Sequence, residues 1–400
     1  MAKRLKIIFR RTKFNRYSVS ALLGLLDEEL DFEKFEIKIV DDFKDLKEER
    51  LSLKDPLVLA YSFGTLSSRS VYDEFKSLKE GFKEKVVIIA GGPHPTGLPW
   101  EALEEGADFV FVGEAEESLP FFLNTFYDSP TNLKERIIKS LPLGDFNSYP
   151  AFAYKRGIFS PIEIRRGCRK RCFFCQAPYI FREIRGRDIE YIKRYASCLK
   201  KYNRKEVYFI SPDALSYGEK EGRLEVRYLE VFLKELQSLG LNICFGYFPS
   251  EVFPKKIVEY PSVVGILKKY IKNRKITLGA QSGSQRMLKK INRAHTLQDV
   301  AEAVKILRVY GFKPVIDIIF GLPGETSQDR RKTLEFMRRL AKDYQARFNI
   351  HHFIPLPQTP FFKCKPEILE EEVKEEIANL MRKGVAFGNF FLQLASSFSK

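Results

Sequence analysis

The sequence predicts an α/β protein in two successive parts, the first a doubly wound parallel sheet. Three observations carry this. Strand-like and helix-like stretches alternate along most of the 400 residues. Several strands read as unbroken apolar runs, such as Lys85-Val-Val-Ile-Ile-Ala90, where a half-buried strand would alternate; such runs mark strands covered by helices on both faces. Glycine pairs and prolines fall at the strand ends, where a chain must turn.

Over residues 1–127 the expected order is strand Leu5–Arg10, a helix from Ser18, strand Phe35–Val40, strand Pro56–Ser62, helix Val71–Lys79, strand Lys85–Ala90, helix Ala102–Glu105, strand Asp108–Gly113 and helix Ala115–Asn124. This is a Rossmann-like sheet of about five strands. Ligands of such sheets sit at the carboxyl ends of the strands. Three loops there are candidates: Ser62 to Thr65, Gly91-Gly92-Pro93-His94, and Gly113-Glu114. Paired glycines let a backbone approach a ligand closely; on its own, Gly-Gly equally makes a plain turn. Residues 128–159 read as a connector, broken by Ser129-Pro, Leu141-Pro and Tyr149-Pro, with amphipathic turns around Leu133 to Ile138.

From residue 160 to 360 a second βα array follows. Its strands are the run before Gly167, then Glu206–Asp213, Asn242–Tyr247, Lys275–Ala280, Lys313–Phe320 and Arg347–Phe353. Six repeats fall short of the eight of a closed barrel. Residues 361–400 read as a charged, then apolar, helical extension packing on that array.

The first strand of the array ends in Cys168-Arg-Lys-Arg-Cys172-Phe-Phe-Cys175. Two chemistries use such a cluster. Zinc sites usually close with four ligands in paired units, and the other cysteines, Cys198, Cys244 and Cys364, are single and scattered. Three ligands without a fourth suit an iron–sulfur cluster with one open iron. The neighbouring cations Arg165, Arg166, Arg169, Lys170 and Arg171 are expected to favour thiolate.

The C-x3-C-x2-C spacing, with Phe174 before the last cysteine, resembles the signature of the radical S-adenosylmethionine superfamily. Three strand-end segments agree with that resemblance: Gly279-Ala-Gln-Ser-Gly-Ser284 with Leu288 to Thr296, Ile319-Phe-Gly-Leu-Pro-Gly-Glu325, and Phe353-Ile-Pro-Leu-Pro-Gln-Thr-Pro360. The resemblance implies a partial (β/α)6 TIM-like barrel and a 4Fe–4S cluster on Cys168, Cys172 and Cys175. S-adenosylmethionine would chelate the open iron and be cleaved to a 5′-deoxyadenosyl radical. It further implies Phe174 near the adenine, Ser211 and Asp213 facing the methionine amino group, and Gln281, Ser282, Gly283 and Ser284 at the ribose or carboxylate. Gly321 and Gly324 would shape the adenine pocket. The residues alone also allow Phe174 as core, Asp213 as a helix N-cap, and either His351 or His352 facing the barrel interior. Asp317, inside an apolar strand, points in or out according to a register the sequence leaves open.

The strand–Gly-Gly-Pro-His loop with Leu103 to Glu114 resembles the cobalamin-binding domain that precedes many such barrels. Cobalamin would then touch Ser62, Thr65, Gly91, Gly92, His94, Gly113 and Glu114. That family often carries D-x-H-x-x-G after its first strand; here His94 is the first histidine of the chain, so a histidine ligand to cobalt is not expected. With cobalamin, the resemblance implies methylation of an unactivated carbon. The alternatives are a cobalamin-independent radical enzyme, such as one modifying tRNA, and a non-catalytic basic RNA-binding scaffold. Methylthiolation is disfavoured because residues 1–167 hold no cysteine for a second cluster.

The net charge of +16 is uneven. Residues 1–150 carry 21 Lys+Arg against 26 Asp+Glu, so the whole basic excess lies in the cysteine-bearing part. That fits an anionic substrate, RNA, or an acidic electron donor such as flavodoxin or ferredoxin; a charge-rich solvated surface gives the same count. No apolar run reaches the length of a membrane span. The few cysteines and the lack of a signal-peptide pattern at the start predict a reducing cytoplasm.

Overall fold

The computed structural model describes residues 4–51, 57–82 and 85–397. It divides into two compact units, residues 1–160 and 161–400.

The first unit is one six-stranded parallel sheet. Its strands are β1 (Leu5–Arg10), β2 (Phe35–Val40), β3 (Leu57–Ser62), β4 (Val86–Gly91), β5 (Phe109–Val112) and β6 (Ile137–Lys139), in spatial order β2-β1-β3-β4-β5-β6. Successive β3 residues explain why the strands read as continuous apolar runs. Leu57, Leu59 and Tyr61 enter one core with Phe75, Leu78, Val86 and Ile88. Val58 and Ala60 enter the other with Ile7, Phe9, Leu23 and Phe122. Both faces are covered, so neither periodicity can be polar. The expected start of β3 at Pro56 lies outside the described residues. The sixth strand corrects the sequence reading: Ile137 and Ile138 were expected in amphipathic turns of the connector. They pair parallel with Val110 and Phe111 instead. Three residues are too few to show a period.

The second unit holds seven parallel strands. β7 (Ile162–Glu163), β8 (Glu206–Ile210) and β9 (Asn242–Cys244) form one sheet in the order β9-β8-β7. β10 (Lys275–Gln281), β11 (Lys313–Phe320), β12 (Arg347–His352) and β13 (Ala386–Phe387) form another, in chain order. Isolated parallel bridges Ile243–Ile271 and Val252–Leu278 join the two into an open array. Its first six strands are the six expected βα repeats. Helices Leu297–Val309 and Ser327–Tyr344 both start on capping boxes, Thr296 with Asp299 and Thr326 with Asp329; the reciprocal bonds satisfy two amides that the first turn leaves open. The C-terminal extension is helical over Glu371–Arg382 and Phe390–Ser397, but two residues between them, Ala386 and Phe387, add a strand to β12. Phe390 packs its ring against Phe320 and His352.

Candidate functional site

The cysteine loop leaves the first barrel strand through a two-residue hairpin, Arg165–Arg166 against Arg185–Gly186. Gly167 has φ +84°, and a Cβ there would collide with the Glu183 carbonyl. A side chain at this position would therefore break the turn. The loop is tied down from a second element. Phe173 N–H donates to Ile291 O (3.1 Å), and Asn292 Nδ2 donates to Arg171 O (3.0 Å). Cys175 N–H closes a turn onto Cys172 O. The result is three free thiols on one short loop, Cys172 buried and the other two half-buried.

Burial pushes the Cys168 thiol up, and the Cys175 thiol up to about 12. Each of these thiols also feels the charge of the other cysteines. This corrects the expectation that neighbouring cations favour thiolate. Two of the five cations named from the sequence are committed elsewhere: Arg165 pairs with Glu219 (3.1 Å) and Arg166 with Glu163 (2.7 Å). Desolvation outweighs what remains. Among the described residues no three or more His, Cys, Asp or Glu side chains, the three thiols included, are drawn into a metal-binding group. The cation that does reach a sulfur comes from elsewhere in the chain: Arg293 Nη1 donates to Cys172 Sγ at 3.3 Å.

Arg293 links the loop to a polar cluster at the strand ends. Its side chain is 4% exposed, and it also donates to Gly279 O, lies 3.7 Å from Glu251 Oε1 and stacks on the Phe253 ring. Glu251 opens to solvent on one side, with 27% side-chain exposure. Its carboxyl is pushed up, first by burial and then by Asp213, against the pull of Arg293. Asp317 shares a hydrogen bond with Glu251 and is raised by burial and by that neighbour. Two carboxyls this close retain a proton between them. Gly279 makes the room: a Cβ there would sit 2.5 Å from both Glu251 carboxylate oxygens.

The strand register settles the side chains the sequence left open. Asp317 on β11 lies opposite Asn349 on β12, and Asn349 Nδ2 donates to Asp317 Oδ1 (2.8 Å) and to His351 Nε2 (2.9 Å). His351 thus joins the polar cluster. His352, one residue on, points to the opposite face and packs on Phe390; alternation along a strand requires this.

The residues singled out from the sequence divide into those that reach the cluster and those held by other partners. Gln281, with φ +70°, hydrogen-bonds Glu251, and its Oε1 is buried without a partner. Ser282 and Ser284 are buried beside it but face the helix Ser327–Tyr344. Ser284 Oγ donates to Asp329 Oδ1 (2.6 Å), and Gly283 lies so close to Thr333 that a Cβ would come within 2.5 Å of its Cα. Ser211 N–H donates to Ser250 Oγ (3.0 Å). Asp213 pairs with Lys256 (2.8 Å), which also reaches Glu219 (2.6 Å); its side chain does not cap the short helical turn that follows. Phe174 packs against the apolar group of Met287, Leu288, Ile291 and Phe361. Gly321 (φ +76°) donates its N–H to Glu325 Oε2 (2.7 Å), and Gly324 donates to Glu367 Oε1 (2.7 Å). Burial raises the Glu325 carboxyl to about 8.

Sequence reasoning missed Glu251 and Arg293. Glu251 falls four residues past the expected strand Asn242–Tyr247, and Arg293 lies inside the quoted segment Leu288 to Thr296 without having been singled out.

In the first unit the candidate loops bind each other. His94 is buried, with Nδ1 3.1 Å from Thr65 Oγ1 and Nε2 3.1 Å from Glu101 Oε1. Gly92 (φ +95°) abuts the Phe63 backbone, where a Cβ would meet N and O at 2.9 Å. Thr96 Oγ1 accepts from Gly113 N–H (3.2 Å), Glu114 Oε2 accepts from Leu143 N–H (3.3 Å), and Ser62 Oγ lies 3.1 Å from Ser18 Oγ. Gly91 ends β4, in register with Ser62.

Comparison with known proteins places this arrangement. Residues 162–337 match the family model described as the radical SAM superfamily. An uncharacterised protein of Methanocaldococcus jannaschii is 30% identical over 219 residues, 52% of this chain but only 41% of its own length. The threonylcarbamoyladenosine tRNA methylthiotransferase MtaB of Aquifex aeolicus is 25% identical over 310 residues, 75% of this chain and 71% of its own. Among solved structures, the radical S-adenosylmethionine methyltransferase TsrM of Kitasatospora setae, with cobalamin and a [4Fe–4S] cluster bound, aligns with a TM-score of 0.62 at 15% identity. It covers 90% of this chain and 74% of that one. The cobalamin-dependent S-adenosylmethionine radical enzyme OxsB aligns with the same score at 16% identity, covering 84% of this chain and 51% of that one. At such identities the likeness shows the fold, and no helix described here is long and apolar enough to cross a membrane. The family match places a radical S-adenosylmethionine domain at residues 162–337, in the second unit, and supports an enzyme.

Proposed function

We propose that this enzyme holds a 4Fe–4S cluster on Cys168, Cys172 and Cys175 and reductively cleaves S-adenosylmethionine beside it. The donor chemistry suits both groups, with three free thiols on one short loop and unpartnered polar atoms near them. The observation that carries the reading is the polar cluster next to the free thiols. Gln281 Oε1 and Arg293 Nε are buried there without partners, and a buried polar atom without a partner costs about 1–3 kcal/mol. A ligand rich in donors and acceptors, such as an amino acid joined to a nucleoside, would relieve that cost. When bound, the cluster supplies one electron and the sulfonium supplies a carbon radical. The chain's own residues do the rest. Arg293 presents a fixed cation to a carboxylate and donates to the sulfur of Cys172. The Glu251–Asp317 pair, sharing one proton, can accept from an amine or a ribose hydroxyl. Phe174 and the apolar group behind it give the thiol loop an apolar backing.

The proposal extends to cobalamin and to methyl transfer, on the fold likeness to TsrM and OxsB. His94 has both ring nitrogens engaged, so a corrin would be held in the first unit without a histidine on cobalt. The competing reading, RNA modification without cobalamin, draws on the methylthiotransferase relatives and the basic second unit.

Anaerobic reconstitution with iron, sulfide and hydroxocobalamin tests this. The expected outcome is about four irons per chain, a cobalamin absorption band, and 5′-deoxyadenosine on reduction with dithionite. Cys168→Ala, Cys172→Ala and Cys175→Ala should each abolish the nucleoside. Full iron loading and nucleoside formation in those variants would refute the ligand assignment. A spectrum without corrin would leave the cobalamin-independent reading.

A further inference from the structure

Four charged side chains form a buried chain of alternating sign that reaches the start of the cysteine loop. Asp213 Oδ2 lies 2.8 Å from Lys256 Nζ, Lys256 Nζ 2.6 Å from Glu219 Oε1, and Glu219 Oε2 3.1 Å from Arg165 Nη2. No side chain of the four is more than 9% exposed. They come from separate elements. Arg165 belongs to the hairpin just before Cys168, and Asp213 lies just past β8. Glu219 belongs to a second short hairpin, with Arg223–Leu224, and Lys256 to the helix Pro254–Glu259. Backbone groups fix the two ends: Asp213 Oδ1 accepts from Phe253 N–H at 3.2 Å, and Arg165 Nη1 donates to Ser216 O. Such a chain is a poor stabiliser, because taking charges out of water costs about as much as their attraction returns. Its position gives it another use. Burial pushes the Arg165 guanidinium down, and Glu219, Asp213 and the Cys168 sulfur draw it back up. Burial pushes the Cys168 thiol up, and Asp213 adds to that push. Both ends of the chain are therefore within electrostatic reach of one cysteine.

Resting on the reading of the cysteines above, we propose that Lys256 and Glu219 are positioning residues for the redox chemistry of the site. As the middle pair of the chain they balance Asp213 and Arg165, and through that balance they set the reduction potential of the cluster held on Cys168. Reduction adds one negative charge to the cluster. A nearby cation stabilises the reduced form and a nearby anion the oxidised form. With two cations and two carboxylates the chain is neutral as a whole. Removing one member leaves an uncompensated charge of the opposite sign, buried where salt screens little. Neither Lys256 nor Glu219 lies in a segment to which the family resemblance points.

The test is a potentiometric titration of the anaerobically reconstituted full chain, followed by the electron paramagnetic resonance signal of the reduced cluster. Glu219→Gln removes a negative charge and should raise the potential. Lys256→Met removes a positive charge and should lower it. Each should change the reduced-to-oxidised ratio at a fixed potential about tenfold, equivalent to about 59 mV for one electron. Lys256→Met/Glu219→Met removes one charge of each sign and should bring that ratio back to within about twofold of the parent. Where Lys256→Met does not fold, the double variant measured against Glu219→Gln carries the same comparison. As a control, Asp27→Asn breaks a buried pair with Arg156 in the first unit. It should lower the melting temperature and leave the potential where it was. Shifts of the same sign, no shift in Glu219→Gln, or a double variant displaced as far as a single one overturn the assignment. So does an equal shift in Asp27→Asn, since the potential would then merely follow stability. If the parent binds no iron, the cysteine reading falls and takes this inference with it. If it binds about four irons per chain and the potentials coincide, only the role of the charge chain falls.

Discussion

Both units gather loops at the carboxyl ends of parallel strands, yet they use the polar groups there in opposite ways. In the first unit those groups satisfy one another. His94 is held by Thr65 and Glu101, Thr96 takes the Gly113 amide, and Gly92 lies against Phe63. In the second, Arg293, Gln281, Glu251 and Asp317 crowd together with buried atoms left over and two carboxyls competing to ionise. A loop cluster that closes on itself is stable without a ligand. One that leaves donors and acceptors exposed to each other only is shaped for something else to complete it. The difference separates loops that stand without a ligand from loops that need one more clearly than the presence of glycine-rich loops, which both units share.

The largest effect that would sharpen this contrast is removal of Arg293. Its guanidinium faces both Cys172 and Glu251. Arg293→Met should cost about 3–5 kcal/mol of stability in a denaturant titration, because a buried charge network loses its counter-ion. It should also lower 5′-deoxyadenosine formation by roughly a hundredfold or more, taking the site to need that cation in the reaction as well as in the fold. Lysine at the same position should restore the stability before it restores the rate, since it lacks the planar fork. If Met at 293 lost stability alone, the cluster would be scaffold after all.

Acid provides a second contrast of smaller size. Burial lowers His295 to about 3 and His352 to about 4, against an ordinary value near 6.5. Both rings are neutral in the fold and take up a proton on unfolding. The unfolded chain therefore binds more protons between these values, and stability falls as pH drops from about 6.5 towards 4. Each ring contributes up to about 3 kcal/mol over that window. Melting curves at pH 7, 6 and 5 should show the second unit losing stability first. His295→Phe, beside the Phe253 ring, should flatten the dependence, and an unaltered slope in that variant would mean that the ring titrates normally.

How much of this was legible in the sequence follows from the same contrast. Strands buried on both faces announce themselves as apolar runs, so β3 and β4 were readable; β8 and β12 alternate buried and half-buried positions and were readable by that alternation. The three thiols were readable because they are local. The polar cluster was not: Glu251, Arg293 and Asp317 lie up to 66 positions apart in the sequence and meet only through pairing and register. Asp317 was visible as an odd residue in an apolar strand, but its face depends on a one-residue choice that Asn349 opposite decides. Ser282, Gly283 and Ser284 show the reverse case. Small and polar, they fit a ligand loop on paper, while the structure spends them on capping a short helix and approaching Thr333.

The smallest effect tests the closed loops of the first unit. His94→Leu removes bonds to Thr65 and Glu101 and keeps roughly the same volume among Phe63 and Tyr72. Thr65 and Glu101 are partly open to water and can exchange one partner for another, so the loss should be about 1–2 kcal/mol. Dithionite-driven 5′-deoxyadenosine formation should stay within about twofold of the parent, because nothing that reacts rests on the imidazole. The corrin band after reconstitution should also persist, since neither ring nitrogen is available to cobalt. Loss of that band in His94→Leu, with the fold intact by circular dichroism, would mean that the Thr65 and Glu101 bonds open to admit a metal, and His94 would then have to be counted as a cobalt ligand.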